Sequence, residues 1–238
     1  MSTSPIAELF DGIAPKYDAL NHLLSLNIDK MWRRKTSHLV AKRHPNTILD
    51  IATGTADLAI ALAKHNPQAH LVGIDISEKM LDIGKTKIAQ QDLEGQIDLR
   101  YGDATELPFD DGCFDAVTVA FGVRNFDDRE TGLHEMVRVC RNGGLVVVLE
   151  FSHPQSALMR ALYRWYSRRW IPKIGRSVSK HPTAYSYLPA SVEAFPTAKA
   201  FVAMLEHAGL SDIQTKVFSG GIATLYYGTA IKNSIKPQ

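Results

Sequence analysis

The sequence predicts an α/β fold around a mostly parallel sheet, and three patterns carry the prediction. Apolar runs ending in acidic residues, TILDI and HLVGIDI, alternate with helix-period stretches, DLAIALAKH and SEKMLDIGKTKIAQ, as strands and crossover helices do in a parallel sheet. IDLRYGD, FDAVTVAFG and LVVVLEF extend the strand series. The chain then closes with DIQTKVFSGGIATLYYGTAI, two alternating strands around Gly220-Gly221 that read as a hairpin.

The elements follow in order. After an N-terminal segment, TILDI is the first strand and DLAIALAKH the first crossover helix. Ser77 stands where an N-cap belongs, with Glu78 in the first turn of the next helix. DDRETGLHEMVRVC reads as a helix that the glycines of Asn142-Gly143-Gly144 end. From Gln155 to Pro196 the pattern breaks into aromatics, Arg and Pro, and this stretch reads as an insertion over a cleft. TAKAFVAMLEHAGL is a helix stopped at Gly209. No repeat or linker divides the 238 residues, so one domain over 1–238 is expected, with an N-terminal cap (about 1–46) and an inserted cap (about 155–196).

Composition narrows the function. A formal charge of +2, from 27 Lys+Arg against 25 Asp+Glu, gives no general footprint for a polyanion, so nucleic acid is not expected as a partner. The two cysteines, Cys113 and Cys140, lack C-x-x-C spacing; neither a disulfide framework nor a metal site is expected, and a reducing compartment fits. The N-terminus lacks a basic segment followed by an apolar stretch, and no apolar run approaches the roughly 18 residues of a spanning helix. A soluble cytoplasmic protein is the expectation.

Ligands of a doubly wound sheet bind beyond the C-terminal strand ends, where Asp50, Asp75, Asp103 and the segment after Ala120 should gather. Asp after a strand is also ordinary turn chemistry, but three at successive strand ends favour a site. NAD fits the Asp75 position, yet the loop ATGTAD lacks G-x-G-x-x-G and puts Asp57 in the helix's first turn, where it would repel a pyrophosphate. S-adenosylmethionine has ribose, adenine and an amino acid end, no phosphate and a positive sulfonium, so carboxylates help it. In that reading Asp75, with Ile76 beside it, takes the ribose diol, Asp103 and Ala104 the adenine, and Gly54-Thr55 the methionyl portion. Asp57 either holds its ammonium group or caps the helix. Gly54 is expected at the strained backbone position, and Ala52 and Ala56 at negative φ, where only smallness is required.

At this point the chain resembles a class I methyltransferase, and specifically the ubiquinone/menaquinone C-methyltransferase family. The match lies in YDALNHLLSLNIDKMW (17–32), LDIATGTADLA (49–59), GDATELPFDDGCFDAVTVAFGVRNF (102–126), RVCRNGGLVVVLEFS (138–152) and SYLPASVEAFP (186–196). Departures are Leu20 for Met, Asp29 for His, Cys140-Arg141-Asn142 for Leu-Lys-Pro, and Ala120 where some relatives carry serine. The resemblance implies a Rossmann-like, seven-stranded, mostly parallel sheet with an antiparallel last strand. It implies S-adenosylmethionine as cosubstrate, no metal, and methylation of a ring carbon on a polyprenyl quinol. That acceptor is either demethylmenaquinol, giving menaquinol, or the ubiquinol precursor 2-methoxy-6-polyprenyl-1,4-benzoquinol. A non-catalytic donor-binding subunit is the alternative of another class.

The chemistry sets two demands. A ring carbon becomes nucleophilic when a reduced quinol loses a phenolic proton, so the site must stabilise phenolate and accept protons. Arg124, in FGVRN, is the expected stabiliser, with Asn125 supplying a neighbouring hydrogen bond; its ordinary alternative is pairing with a surface carboxylate such as Asp127. Proton-acceptor candidates are Tyr17, Asp18, His153, Tyr185 and Tyr187, among which the sequence does not choose. Tyr17 and Asp18 read either as closing over the donor or as packing plus an N-cap before a helix. A cysteine nucleophile has no activating motif. Residues 158–176, LMRALYRWYSRRWIPKIGR, mix Trp and Arg and suit either an interfacial basic helix at the inner face of the cytoplasmic membrane or a cap helix packed on the core. Oligomeric state is not readable from the sequence.

Overall fold

The computed structural model of the chain describes residues 5–25, 27–152, 154 and 190–232. Two helices come first, α1 (Pro5–Leu24) and α2 (Ile28–Ala41). The alternating part follows: β1 (Thr47–Ile51), α3 (Asp57–His65), β2 (His70–Asp75), α4 (Glu78–Ala89), β3 (Ile97–Tyr101), β4 (Phe114–Ala120), α5 (Arg129–Val139) and β5 (Cys140–Phe151). After it come α6 (Ala198–His207), β6 (Leu210–Phe218) and β7 (Ala223–Ala230).

The seven strands form one sheet in the order β3-β2-β1-β4-β5-β7-β6. β1 pairs parallel with β2 and β4, β2 with β3, and β4 with β5, while β7 runs antiparallel between β5 and β6. The chain order reverses direction between β1 and β4, and this switch point opens a crevice at the C-terminal strand ends. Helices cover both faces, so successive strand residues are buried in opposite layers. Ile48 joins Trp32, Leu62 and Leu71 under α2 and α3, whereas Leu49 joins Val117, Met136 and Phe201 under α5 and α6.

Ser77 caps α4 as expected, its hydroxyl accepting from Met80 N at 3.3 Å. Two local expectations fail. The glycines of 142–144 do not end α5; the helix stops at Val139, Cys140 already pairs with Phe114, and the register shifts before Ala116 pairs with Leu145. The glycines therefore serve a bulge inside β5, with Gly143 at φ 77°. Tyr17 and Asp18 do not precede a helix but sit inside α1, which runs on past Pro15.

The loop after β1 overturns a third expectation. Gly54 has φ 56°, as expected, but Ala52 and Ala56 are left-handed too, at 50° and 66°. Each costs about 1–2 kcal/mol relative to right-handed backbone. Packing explains why glycine does not replace them. Ala56 is fully buried, and a Cβ built on Gly84 would lie 3.3 Å from its methyl. One built on Gly122 would lie 2.6 Å from the methyl of Ala52. Both methyls fill space that facing glycines leave open, while Thr53 N donating to Ile74 O at 2.9 Å fixes the turn.

Candidate active site

A cleft of about 670 Å³ opens over the switch point. Its walls come from α1 (Ile6, Phe10, Tyr17), the β1 loop (Ala52, Gly54), the end of β2 (Asp75, Ile76), Met80 of α4, and the β3 loop (Gly102, Asp103, Ala104). Ala120, Phe121, Gly122, Asn125, Phe126 and Asp127 close it from the end of β4.

Asp75 is held by backbone: Oδ2 accepts from Gly54 N at 2.8 Å and Oδ1 from Ser77 N at 2.9 Å. Burial raises its pKa, against the lowering effect of those amide donors. Each oxygen keeps a second lone pair, so the carboxylate can still accept from a vicinal diol. Asp103 accepts from Thr105 N and Oγ1, both at 2.8 Å and both on Oδ1, which leaves the capacity of Oδ2 intact. A Cβ built on Gly54 would meet nothing within 4 Å, so its bare backbone faces open cleft. Two carboxylates, an open glycine and apolar walls fit a phosphate-free nucleoside with a positive centre, and would repel a pyrophosphate.

Of the residues expected in the site, Tyr17, Gly54, Asp75, Ile76, Asp103, Ala104, Ala120 and Asn125 line the cleft. Asp50, Thr55, Asp57, Asp18 and Arg124 do not line it. Asp50 is 1% exposed, accepting from Thr53 Oγ1 and Thr118 Oγ1, both at 2.7 Å, and burial raises its pKa to about 6. Thr55 donates to Asp18 Oδ1 at 2.5 Å, and Lys87 Nζ donates to Asp18 Oδ2 at 2.9 Å and also bonds Asp57. Asp57 is therefore engaged with Lys87, not turned to the cleft. His153, Tyr185, Tyr187 and residues 158–176 lie outside the described residues.

Arg124 is buried beneath the loop that it belongs to. Its Nη1 bonds Phe121 O and donates to Glu150 Oε1 at 2.7 Å, and its guanidinium lies 5.3 Å from the Phe151 ring centroid. The partner is thus Glu150 at the end of β5, fully buried, and not the surface carboxylate Asp127. Arg124 Nε is a buried donor with no acceptor among the described residues. Burial pushes the Cys140 thiol up to about 12 and raises that of Cys113, so neither is a thiolate near neutral pH.

Lys87, Glu150, Phe10 and Ile6 escaped the sequence reading. The last two carried a signal: Ile6, Phe10 and Tyr17 fall at i, i+4 and i+11, one face of a helix. Lys87 and Glu150 gave none, because their partners lie 69 and 26 residues away.

Comparison with known proteins places these features in a lineage. The sequence model of the ubiE/COQ5 methyltransferase family matches residues 1–230. A demethylmenaquinone methyltransferase of Bacteroides fragilis is 42% identical over 94% of this chain and 91% of its own. One of Thermus thermophilus is 44% identical over 92% and 99%. The ubiquinone/menaquinone biosynthesis C-methyltransferase of Geobacter sp. M21 is 43% identical over 94% and 95%. Among solved structures, a SAM-dependent methyltransferase from Aquifex aeolicus superposes with TM-score 0.56 at 16% identity, over 78% of this chain and 82% of that one. The [4+2]-cyclase SpnF does so with TM-score 0.66 at 15% identity, over 98% of each. At such identities the likeness is one of fold, and a shared fold does not fix the reaction.

Proposed function

Because this chain belongs to the ubiE/COQ5 methyltransferase family, we propose that it transfers a methyl group from S-adenosylmethionine to a ring carbon of demethylmenaquinol, giving menaquinol. The observation that carries the reading is the pairing of Asp75 and Asp103 beside the open backbone of Gly54 in one cleft. When bound, the donor supplies an electrophilic methyl on positive sulfur.

Asp75 would take the ribose hydroxyls and Asp103 the adenine amino group beside Ala104, while Gly54 lets backbone approach the methionyl end. Ile76 and Met80 give the apolar contacts that exclude water around the base. The acceptor's ring would enter between Tyr17 and Asn125, which face the cleft from α1 and from the turn after β4. Arg124, buried on Glu150, acts by holding the turn that presents Asn125, whose amide would hydrogen-bond the phenolate oxygen. Tyr17, being in the wall, is the proton acceptor best placed among the described residues, directly or through water; Asp18 is already occupied by Thr55 and Lys87. Residues 1–46 would cap one catalytic domain working at the inner face of the cytoplasmic membrane; the inserted cap expected at about 155–196 lies, up to residue 189, outside the described residues.

Purified protein with labelled donor and demethylmenaquinone in reduced or oxidised form tests this. Transfer to the reduced form alone is expected. Equal transfer to both forms contradicts the phenolate mechanism, and transfer to neither contradicts the function.

A further inference from the structure

Helix α2 divides its charge unevenly. Asp29, Trp32, Arg33, Thr36, Ser37 and Val40 are buried. The opposite stripe exposes Lys30, Arg34, Lys35, His38 and Lys42, and Arg43 follows in the turn. Asp29 is the one carboxylate between residues 28 and 46, and it is 2% exposed and bonded to Arg33 and Ser25. Among the described residues, Lys30, Arg34, Lys35, Lys42 and Arg43 form no ion pair. Residues 28–46 thus carry six Lys and Arg against one Asp; a second basic stretch, with seven Lys and Arg and no carboxylate over residues 160–180, lies outside the described residues.

Two features extend the face. Lys35 Nζ lies 5.4 Å from the Phe218 ring centroid, at the end of edge strand β6, where Lys216 is also exposed. Met31, 42% exposed, sits among the cations. Beneath the stripe, Trp32 lies 6.1 Å from Phe121, a wall residue of the cleft. The face is therefore about one helix diameter, roughly 10 Å, from the cleft wall.

We propose that the outer face of α2, extended by Lys216, docks on an anionic lipid bilayer. The proposal rests on the reading that the acceptor carries a polyprenyl tail, because such a molecule stays in the bilayer and the enzyme must meet it there. No helix among the described residues is long and apolar enough to cross a membrane. Long, unpaired Lys and Arg side chains suit mobile headgroups, and Met31 can enter the boundary between them. The stripe exposes no Phe, Tyr or Trp on which a nucleobase could stack, and its one imidazole, His38, is already packed on His65 with ring centroids 4.0 Å apart, which favours lipid over RNA.

The test compares the full chain with Lys30→Gln/Arg34→Gln/Lys35→Gln, and with Lys30→Gln/Lys42→Gln/Lys216→Gln as a second variant. Vesicles of phosphatidylcholine are set against vesicles containing equal parts phosphatidylcholine and phosphatidylglycerol. The parent should bind the anionic vesicles and release them at high salt, and each variant should lose on the order of a hundredfold in partition with an unchanged melting temperature. Transfer to a short-tailed, water-soluble quinol should be equal in all three proteins, while transfer to a long-tailed quinol in anionic vesicles should fall in the variants. Equal binding to both vesicle types, parent-like binding by both variants, or tight RNA binding without vesicle binding would each overturn the proposal. Failure of all three proteins on the short-tailed quinol would instead strike the functional reading and leave the vesicle result to be judged separately.

Discussion

Asp50 gives the most quantitative handle on the site. Its carboxyl is 1% exposed beneath the donor loop, and burial raises its pKa from 3.8 to about 6 although Thr118 and Thr53 donate to it. A raised carboxylate pKa means that the folded state binds the proton more tightly than the unfolded chain does. Stability is therefore highest with the group protonated and is lost as pH rises from 3.8 through about 6. The gap amounts to about 3 kcal/mol at pH 7. Asp50→Asn removes the charge and keeps one acceptor, at a cost of about 1 kcal/mol in hydrogen bonding that does not vary with pH. The stability difference, variant minus parent, should climb by about 3 kcal/mol between pH 3 and 7 and then level off. In a chain of this size that corresponds to a relative rise of roughly 6–12 °C in Tm. Urea unfolding of both proteins across that range measures it. Burial raises Asp75 as well, so the parent's own profile mixes two groups and only the difference isolates Asp50. A difference that is flat, or that falls with rising pH, would refute the reasoning.

Other residues give further outcomes. Asn125→Ala should lower kcat by about a hundredfold or more while donor affinity, read by calorimetry, stays within a few-fold, whereas Arg124→Ala, which leaves the buried Glu150 carboxylate unpaired, should also lower stability. Glu150→Ala leaves a buried guanidinium without its carboxylate and should cost about 3–5 kcal/mol in denaturant unfolding, whereas an exposed pair such as Lys85–Asp82 should cost under about 1 kcal/mol. Gly54→Ala should raise the donor's KM and destabilise by about 1–2 kcal/mol, because φ 56° strains an L residue and its Cβ enters the cleft. Gly122→Ala, which brings two methyls to 2.6 Å, should destabilise by about 1–3 kcal/mol, and Ala52→Gly in the same chain should recover part of that loss.

Most of the fold was readable because strand and helix periodicity is local. TILDI, HLVGIDI and the helical stretches between them announce β1, β2, α3 and α4, and acidic strand ends place Asp75 and Asp103 at the cleft. The backbone of the donor loop was not readable, since glycine is the usual residue for positive φ and Ala52 and Ala56 break that rule for the sake of methyls that meet Gly122 and Gly84. Asp50 and Asp57 resembled Asp75 in sequence. Yet one points into Thr53 and Thr118 and the other toward Lys87.

Sequence was thus sufficient for the strand series, for the carboxylates at or just past the ends of β1, β2 and β3 and for Arg124-Asn125 after β4, because each rests on residue type and short spacing. Packing alone decided which of those groups faces the cleft. Asn125 does, whereas Arg124 is folded under the loop onto Glu150, and Asp18 reaches Thr55 and Lys87 from a helix far away in the chain. Such pairings depend on how the helices settle on the two faces of the sheet, and no local spacing encodes a partner many residues away.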